Sequence, residues 1–261
     1  MANASIKEAF DSTLKEAFAG IKLMIWAIPI TMGLCSIYMG GFLGTVGGTI
    51  LTAISAFLFF GLCVTSAHNV IIKKDTIIPS VNFIEMLING VMAFVAVAPF
   101  SIVTYLLSLC ITIPFANYGE QLMEHPVLTF TAIELIGFLI ASIPITALAM
   151  FVRRLNILEV FNLKKFFYAM GEVFLAYTTY TFRFVFFALL IFGFIVYLFY
   201  LFIGFENSFW VYLVVLISIT YFLFLFNAIA QISDDIFTFI EKDEDKQREE
   251  EKIKKLVEHQ K

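Results

Sequence analysis

Residues 21–66 read IKLMIWAIPITMGLCSIYMGGFLGTVGGTILTAISAFLFFGLCVTS. Two apolar blocks, Ile21–Met39 and Phe42–Ser66, meet at Gly40-Gly41, and Lys22 is the only charged residue in the stretch. A helix needs about 20 apolar residues to cross a hydrocarbon core of about 30 Å, and each block has that length. The stretch therefore predicts a helical hairpin that enters and leaves a membrane on the same side. Runs this apolar lack the alternation of a barrel strand. In lipid every backbone group must be paired internally, so the spans are helices.

Working outward, four more blocks follow: Gly90–Phe115, Leu128–Val152, Tyr177–Phe202 and Phe209–Ile229. Hydrophobic residues make up 61% of the 261-residue chain, against about 45–50% in a soluble domain. Lys and Arg number 17, and all but Arg183 fall at alternate connections or at the chain ends. Lys7, Lys15 and Lys22 precede or open the first span, and Lys73 and Lys74 follow the second. Arg153, Arg154, Lys164 and Lys165 follow the fourth span, and the rest lie beyond Glu241. The other connections carry no Lys or Arg; Glu120, Glu124 and Glu206 are their charges. Because Lys and Arg near span ends stay in the cytoplasm, both termini are expected there, a parity that six spans satisfy. Trp26, Trp210, Tyr118 and Tyr177 lie near span ends, where an aromatic belt would place them. No cleavable leader is evident, and the first span is expected to act as an uncleaved signal-anchor.

The expected fold is all-α: a polytopic bundle of six transmembrane helices with cytoplasmic interfacial helices. Residues 1–20 form an amphipathic helix, 21–231 the membrane domain and 232–261 a charged cytoplasmic tail. Three hairpin units, beginning near Ser5, Ser80 and Asn156, suggest a parallel repeat, unlike the inverted repeats of many transporters. Ser5 and Glu8 fit a capping box, and Ile6, Phe10, Leu14 and Phe18 make an apolar stripe for the interface plane. Val81–Ile88 and Asn156–Val173 are its expected counterparts. In the last of these, Lys164 and Lys165 face anionic headgroups, at about 1 kcal/mol each. The tail pairs Glu244 with Arg248, Glu250 with Lys254 and Glu251 with Lys255 at i,i+4, giving a solvated helix. Docking of the tail on a cytoplasmic protein partner is the alternative.

Few residues could carry chemistry. Glu134 and Arg183 are ionisable residues inside spans, which makes them functional candidates by default. At 1.5 Å per residue each lies about 9 Å from its own end, so about 12 Å separates their levels in a 30 Å core, and snorkelling to opposite interfaces competes with pairing. Pro29, Pro99 and Pro144 lie near the level of Arg183. Each frees a carbonyl and kinks its helix, so together they could shape a cavity open to the cytoplasm. Neighbouring helices commonly repair such gaps. Gly40, Gly44 and Gly48, continued by Thr52 and Ala56, form a small-residue face on which the first and second spans are expected to meet. The fifth and sixth spans, rich in Phe, Leu, Ile and Val, read as lipid-facing. Cys35, Cys63 and Cys110 match no metal spacing and read as packing residues.

No nucleotide loop, HExxH pair or GxSxG elbow is present, and His68, His125 and His259 lie at different levels. Adjacent Asp234 and Asp235 point about 100° apart on a helix and mark a span boundary better than a metal site. The expectation is a non-enzymatic protein with no cofactor, no metal and no nucleic-acid partner.

Ile77-Ile78-Pro79-Ser80-Val81-Asn82-Phe83-Ile84-Glu85-Met86-Leu87-Ile88-Asn89-Gly90 resembles the proline-led cytoplasmic elbow of an uncharacterised family of bacterial and archaeal integral membrane proteins, a domain of unknown function. Asn156-Ile157-Leu158-Glu159-Val160-Phe161-Asn162-Leu163-Lys164-Lys165-Phe166 resembles that family's second elbow. The family usually carries an aromatic, often Trp, soon after the proline; Phe83 is the nearest here. The resemblance covers residues 20–230, implies six helices with interfacial elbows, and implies no activity. The expected role is a scaffold or modulator in the cell's inner (cytoplasmic) membrane, its elbows gripping anionic lipid. The competing expectation is a permease or a carrier of lipid or small solutes with a cavity near Arg183.

Overall fold

The computed structural model describes residues 6–14, 16, 18–74, 76–80, 82–122, 126–180, 190, 193, 194, 197 and 208–259; the side chains of several helical residues lie outside that description. Among the described residues eight helices are delimited: α1 (Ile6–Leu14), α2 (Ala19–Met39), α3 (Phe42–Ile71), α4 (Phe83–Leu122), α5 (Pro126–Arg154), α6 (Ile157–Val160), α7 (Leu163–Tyr180) and α8 (Ser208–His259). No strand occurs among the described residues. Among the described residues four helical stretches are long and apolar enough to cross a membrane: Ala19–Met39, Phe42–Ile71, Phe83–Ile113 and Phe209–Thr238. α5 is helical across the fourth expected span. The fifth expected span lies outside the described residues apart from its first turn and isolated positions.

Gly40 and Gly41 turn α2 into α3, and both have positive φ, 72° and 74°, which glycine adopts without a Cβ clash. α3 is the centre of the bundle and packs on α2, α4, α5 and α8. It meets α2 through small residues. A Cβ on Gly48 would lie 2.7 Å from the Ile37 nitrogen, and one on Gly33 would lie 2.4 Å from the Thr52 hydroxyl. A Cβ on Gly44 would reach the Ser36 carbonyl at 3.0 Å, whereas Gly40 meets nothing and serves the turn. α3 meets α4 more closely still, at Gly61 and Gly90, where added Cβ atoms would lie 1.8 and 1.9 Å from the Met86 and Phe57 carbonyl oxygens.

The buried core gathers toward one end of the bundle. It includes Leu23 and Trp26 of α2, Leu62, Val64 and Ala67 of α3, Met86 of α4, Ala147–Val152 of α5 and Leu223, Phe226, Ile229 and Ile232 of α8. Three expectations change accordingly. The sixth expected span is open along its outer part, but at its inner end Asn227, Ala228 and Ala230, small or polar, enter the core. Trp26 is not a belt residue; it is buried edge-on against Phe83 with ring centroids 5.1 Å apart. The stripe of the N-terminal helix is broken: α1 ends at Leu14, Phe18 takes a left-handed φ of 67°, and α1 buries Ala9 and Thr13 instead.

The elbows also differ from the expected separate helices. Val81–Ile88 does not stand alone; Phe83 onward is the first turns of α4. The Asn82 side-chain oxygen accepts from the Glu85 N–H at 3.4 Å and its NH2 donates to the Glu85 carboxylate at 3.1 Å, an N-cap whose return bond runs side chain to side chain. The helix runs unbroken through Gly90, where it meets α3. The third segment splits at Phe161 into α6 and α7, capped by Asn156 on Leu158 and by Asn162 on Lys165. At the other end of the chain, α8 runs without interruption from the last span into the charged tail.

Candidate functional site

The best-organised polar structure is a turn near the end of α3, Thr65-Ser66-Ala67-His68-Asn69. Successive residues on a helix point about 100° apart, so such a run addresses several neighbours at once. The Thr65 hydroxyl accepts from the Asn89 amide of α4 at 3.0 Å. Ser66 donates to the Asn227 carbonyl oxygen of α8 at 3.3 Å. His68 Nδ1 lies 2.8 Å from the Val152 carbonyl of α5, and because a carbonyl only accepts, Nδ1 carries the proton. The Asn69 amide donates to the carbonyls of Thr76 and Ile77 at 3.3 and 3.0 Å. One turn of one helix thus binds three others and the α3–α4 connection.

The hub continues into α1. The Asn227 amide donates to the Thr13 hydroxyl at 2.8 Å, and Thr13 donates to the Ala9 carbonyl at 2.7 Å. Thr13, Ser66 and Asn227 are at most 1% exposed. In so dry a setting each bond is electrostatically strong, and each broken one leaves an unsatisfied group. Ser233 of α8 adds a bond to the Ala149 carbonyl of α5 at 2.7 Å.

Charged pairs lie farther toward the same end. Glu16 pairs with Lys22, and the two hold opposite sides of Ile78: the carboxylate accepts its N–H and the ammonium donates to its carbonyl, both at 2.8 Å. Arg153 pairs with Glu241 at 2.8 Å, and its guanidinium sits 5.1 Å over the Phe237 ring. Arg154 reaches Glu159 at 2.5 Å and Glu241 at 3.4 Å. Glu241 thus ties the base of the tail to the end of α5. Arg153 Nη1, Trp26 Nε1 and the Thr52 and Ser55 hydroxyls are buried with no hydrogen-bond partner among the described residues.

The residues singled out from the sequence are dispersed. Arg183 lies outside the described residues. Glu134 belongs to α5, and its side chain lies outside the description. The prolines have three different surroundings. Pro144 is half-buried, and the Ile140 carbonyl that it deprives of a helical donor accepts from Thr104 of α4 at 3.3 Å. Pro29 is half-buried in α2. Pro99 is exposed on α4. In the two Ile-Pro-Ile-Thr segments, Thr31 and Thr146 bond the carbonyls of Ala27 and Ser142 at 2.8 and 2.7 Å. Cys63 is buried, whereas Cys110 is exposed and packs on little. Among the described residues no three His, Cys, Asp or Glu side chains gather as metal ligands would.

The sequence reading missed the hub itself. Its signal was present: Asn227 interrupts the apolar run of the last span, and a polar residue at that depth needs a partner. The hub's ionisable members are His68, Glu16, Lys22, Arg153, Arg154, Glu159 and Glu241, and each is spent on a contact within the protein. The arrangement joins helices; it presents no nucleophile beside a base. Compared with protein-family models, curated proteins and solved structures, the chain matches none of them.

Proposed function

We propose that this chain is a six-span protein of the inner (cytoplasmic) membrane, with both termini and the polar hub on the cytoplasmic side, and that it scaffolds or modulates the membrane without catalysing a reaction. The spans are the four apolar helices, α5 and residues 177–202, arranged as three hairpins in parallel. Kinship with the uncharacterised six-span family belongs to the same proposal. The observation that carries it is how the two kinds of polar group are divided. Side chains inside the charged end are used up in helix-to-helix bonds. Lys73, Lys74 and Lys164 stand exposed at that end beside exposed Ile72, Leu163 and Phe167. Apolar side chains next to lysines suit a boundary where the former enter acyl chains and the latter meet anionic headgroups, at about 1 kcal/mol per lysine.

Two measurements test this. Single cysteines at Lys74 and at Gly41, in a background without the native cysteines, should be labelled from opposite sides of sealed vesicles; labelling from one side sinks the topology. Native mass spectrometry from nanodiscs of mixed phosphatidylglycerol and phosphatidylcholine should show retained phosphatidylglycerol. Retention should fall when Lys73, Lys74, Lys164 and Lys165 are changed to Gln, and an unchanged profile removes the headgroup role. The carrier reading rests on Arg183. A solute or lipid flux in proteoliposomes that disappears in Arg183→Leu would put that reading in place of the scaffold.

A further inference from the structure

Arg153 and Arg154, the last residues of α5, converge on one carboxylate. Arg153 Nη2 meets Glu241 Oε2 at 2.8 Å, and Arg154 Nη2 meets Oε1 at 3.4 Å. Each oxygen of Glu241 thus has its own guanidinium, the fork in which arginines take carboxylate or phosphate. Three features mark the pair as an anion site that the chain itself fills.

The first is that the arginines are held independently of Glu241. The Arg153 side chain is only 13% exposed and lies over the Phe237 ring at 5.1 Å. Its Nη1 has no hydrogen-bond partner among the described residues, so Glu241 does not use up its donors. Arg154 keeps Glu159 on its other nitrogen. The second is depth. Arg154 stands two residues past Val152, the end of the fourth expected span, so about 3 Å beyond the hydrocarbon edge at 1.5 Å per residue. The headgroup layer is about 5–7 Å thick on each side, and both guanidinium groups fall within it. On α8 the apolar stretch runs to Thr238, three residues before Glu241. The third is charge. Two arginines face Glu159 and Glu241, and the group is neutral. Replacing the Glu241 carboxylate by a singly charged phosphate keeps that balance and leaves no buried charge unpaired. Glu241 is 43% exposed and Arg154 57%, so the exchange is open to an anion from outside.

We propose that Arg153 and Arg154 bind the phosphate of an anionic lipid of the cytoplasmic leaflet, and that Glu241 is the internal occupant which that phosphate displaces. Displacement unties the base of the tail. Residues 241–251 hold seven acids and three bases, so the released segment is repelled by an anionic leaflet. The proposal rests on the headgroup reading given above and adds to it a site apart from the lysines and a consequence for the tail.

Full-length protein in nanodiscs of phosphatidylcholine, with and without phosphatidylglycerol at equal ionic strength, provides the test. Amide exchange in residues 242–259 should be about two- to fivefold faster with phosphatidylglycerol, the worth of one exposed ion pair. In Arg154→Gln, a change at an exposed side chain, it should no longer respond to the lipid. Native mass spectrometry of the same discs supplies a readout that a plain structural brace would not move. Glu241→Gln, which weakens the internal occupant, should retain more phosphatidylglycerol than wild type, and Arg154→Gln less. Tail exchange indifferent to the lipid, or retention unchanged in Glu241→Gln, would overturn the site. The headgroup reading would still stand if retention fell when the four lysines were changed, whereas no retention by wild type would remove both. Glycerol 3-phosphate added to the phosphatidylcholine discs separates the two sources of the same group. Faster exchange with it and none with phosphatidylglycerol would assign the arginines to a soluble phosphate ester and overturn the lipid.

Discussion

Near Lys22, Lys73 and Arg153 the helices bury Trp26, Leu62, Met86, Phe151 and Leu223; near Gly40 and Gly41 the same bundle exposes Met32, Val46, Ile50, Ile102 and Leu106. The difference follows from the solvent. Acyl chains are as apolar as leucine, so a membrane offers no hydrophobic force to press two leucine-rich helices together. Helices then stay in contact only where backbones can approach or polar side chains can pair. The charged half has both, in the Gly61–Gly90 contact and the hub on α3. Among the described residues the uncharged half has the small-residue seam of Gly33, Gly48 and Thr52, which keeps α2 on α3, and the Thr104–Ile140 bond from α4 to α5, while α4 exposes Ile102 and Leu106.

Substitutions should break this contrast in graded steps, read as unfolding free energy in mixed micelles. The largest effect is expected from Gly90→Val, whose side chain would drive into the Phe57 carbonyl; it should lose about 3 kcal/mol or fail to fold. Gly47→Ala, which meets nothing within 4 Å, is the matched control and should stay within about 0.5 kcal/mol of wild type. Asn227→Leu should cost about 1–3 kcal/mol by orphaning the Ser66 hydroxyl and removing the donor to Thr13. Combining it with Thr13→Val should cost less than the two separately, since they share one bond. Glu241→Gln should cost at most about 1 kcal/mol, because that carboxylate is 43% exposed. It should speed amide exchange in α8 beyond residue 241, and unchanged exchange would mean that the tail is not tied there. Leu106→Ala should cost least, below about 0.5 kcal/mol. A loss at Leu106 as large as at Asn227 would erase the distinction between the halves.

Much of the architecture was legible from periodicity and charge. Apolar block length located α2, α3, the membrane part of α8 and most of α4, because span length is a property of composition alone. The hairpin turn was legible because two glycines leave no other reading. What could not be read depends on azimuth, the direction in which each residue points. The Phe, Leu and Ile of the last span look the same whether they face lipid or protein, and only Asn227 and Ser233 betray that the inner half of α8 is core. Gly40, Gly44 and Gly48 advertised themselves by their regular spacing, whereas Gly61 and Gly90, with the tighter contact, stand singly in sequence and meet only in the fold. Trp26 sits at a span end by number, yet its ring turns inward onto Phe83. The hub was hidden for the same reason. Thr65–Asn69 looks like the polar edge of a span until α4, α5 and α8 arrive around it, and then α3 continues helical to Ile71.

The Gly40-Gly41 turn also sets how little of the chain must be translocated. On the proposed topology the segment that passes to the far side of the bilayer is two residues with neither side chain nor charge. A charged residue at the middle of a membrane helix carries an insertion penalty of about 2.5–3.5 kcal/mol, and none travels with this turn. α2 and α3 can therefore insert as a single hairpin before the later helices have been synthesised. On that topology the first hairpin would serve as a template for biogenesis, with Thr65 to Asn69 at its cytoplasmic edge offering bonds to each later helix as it docks.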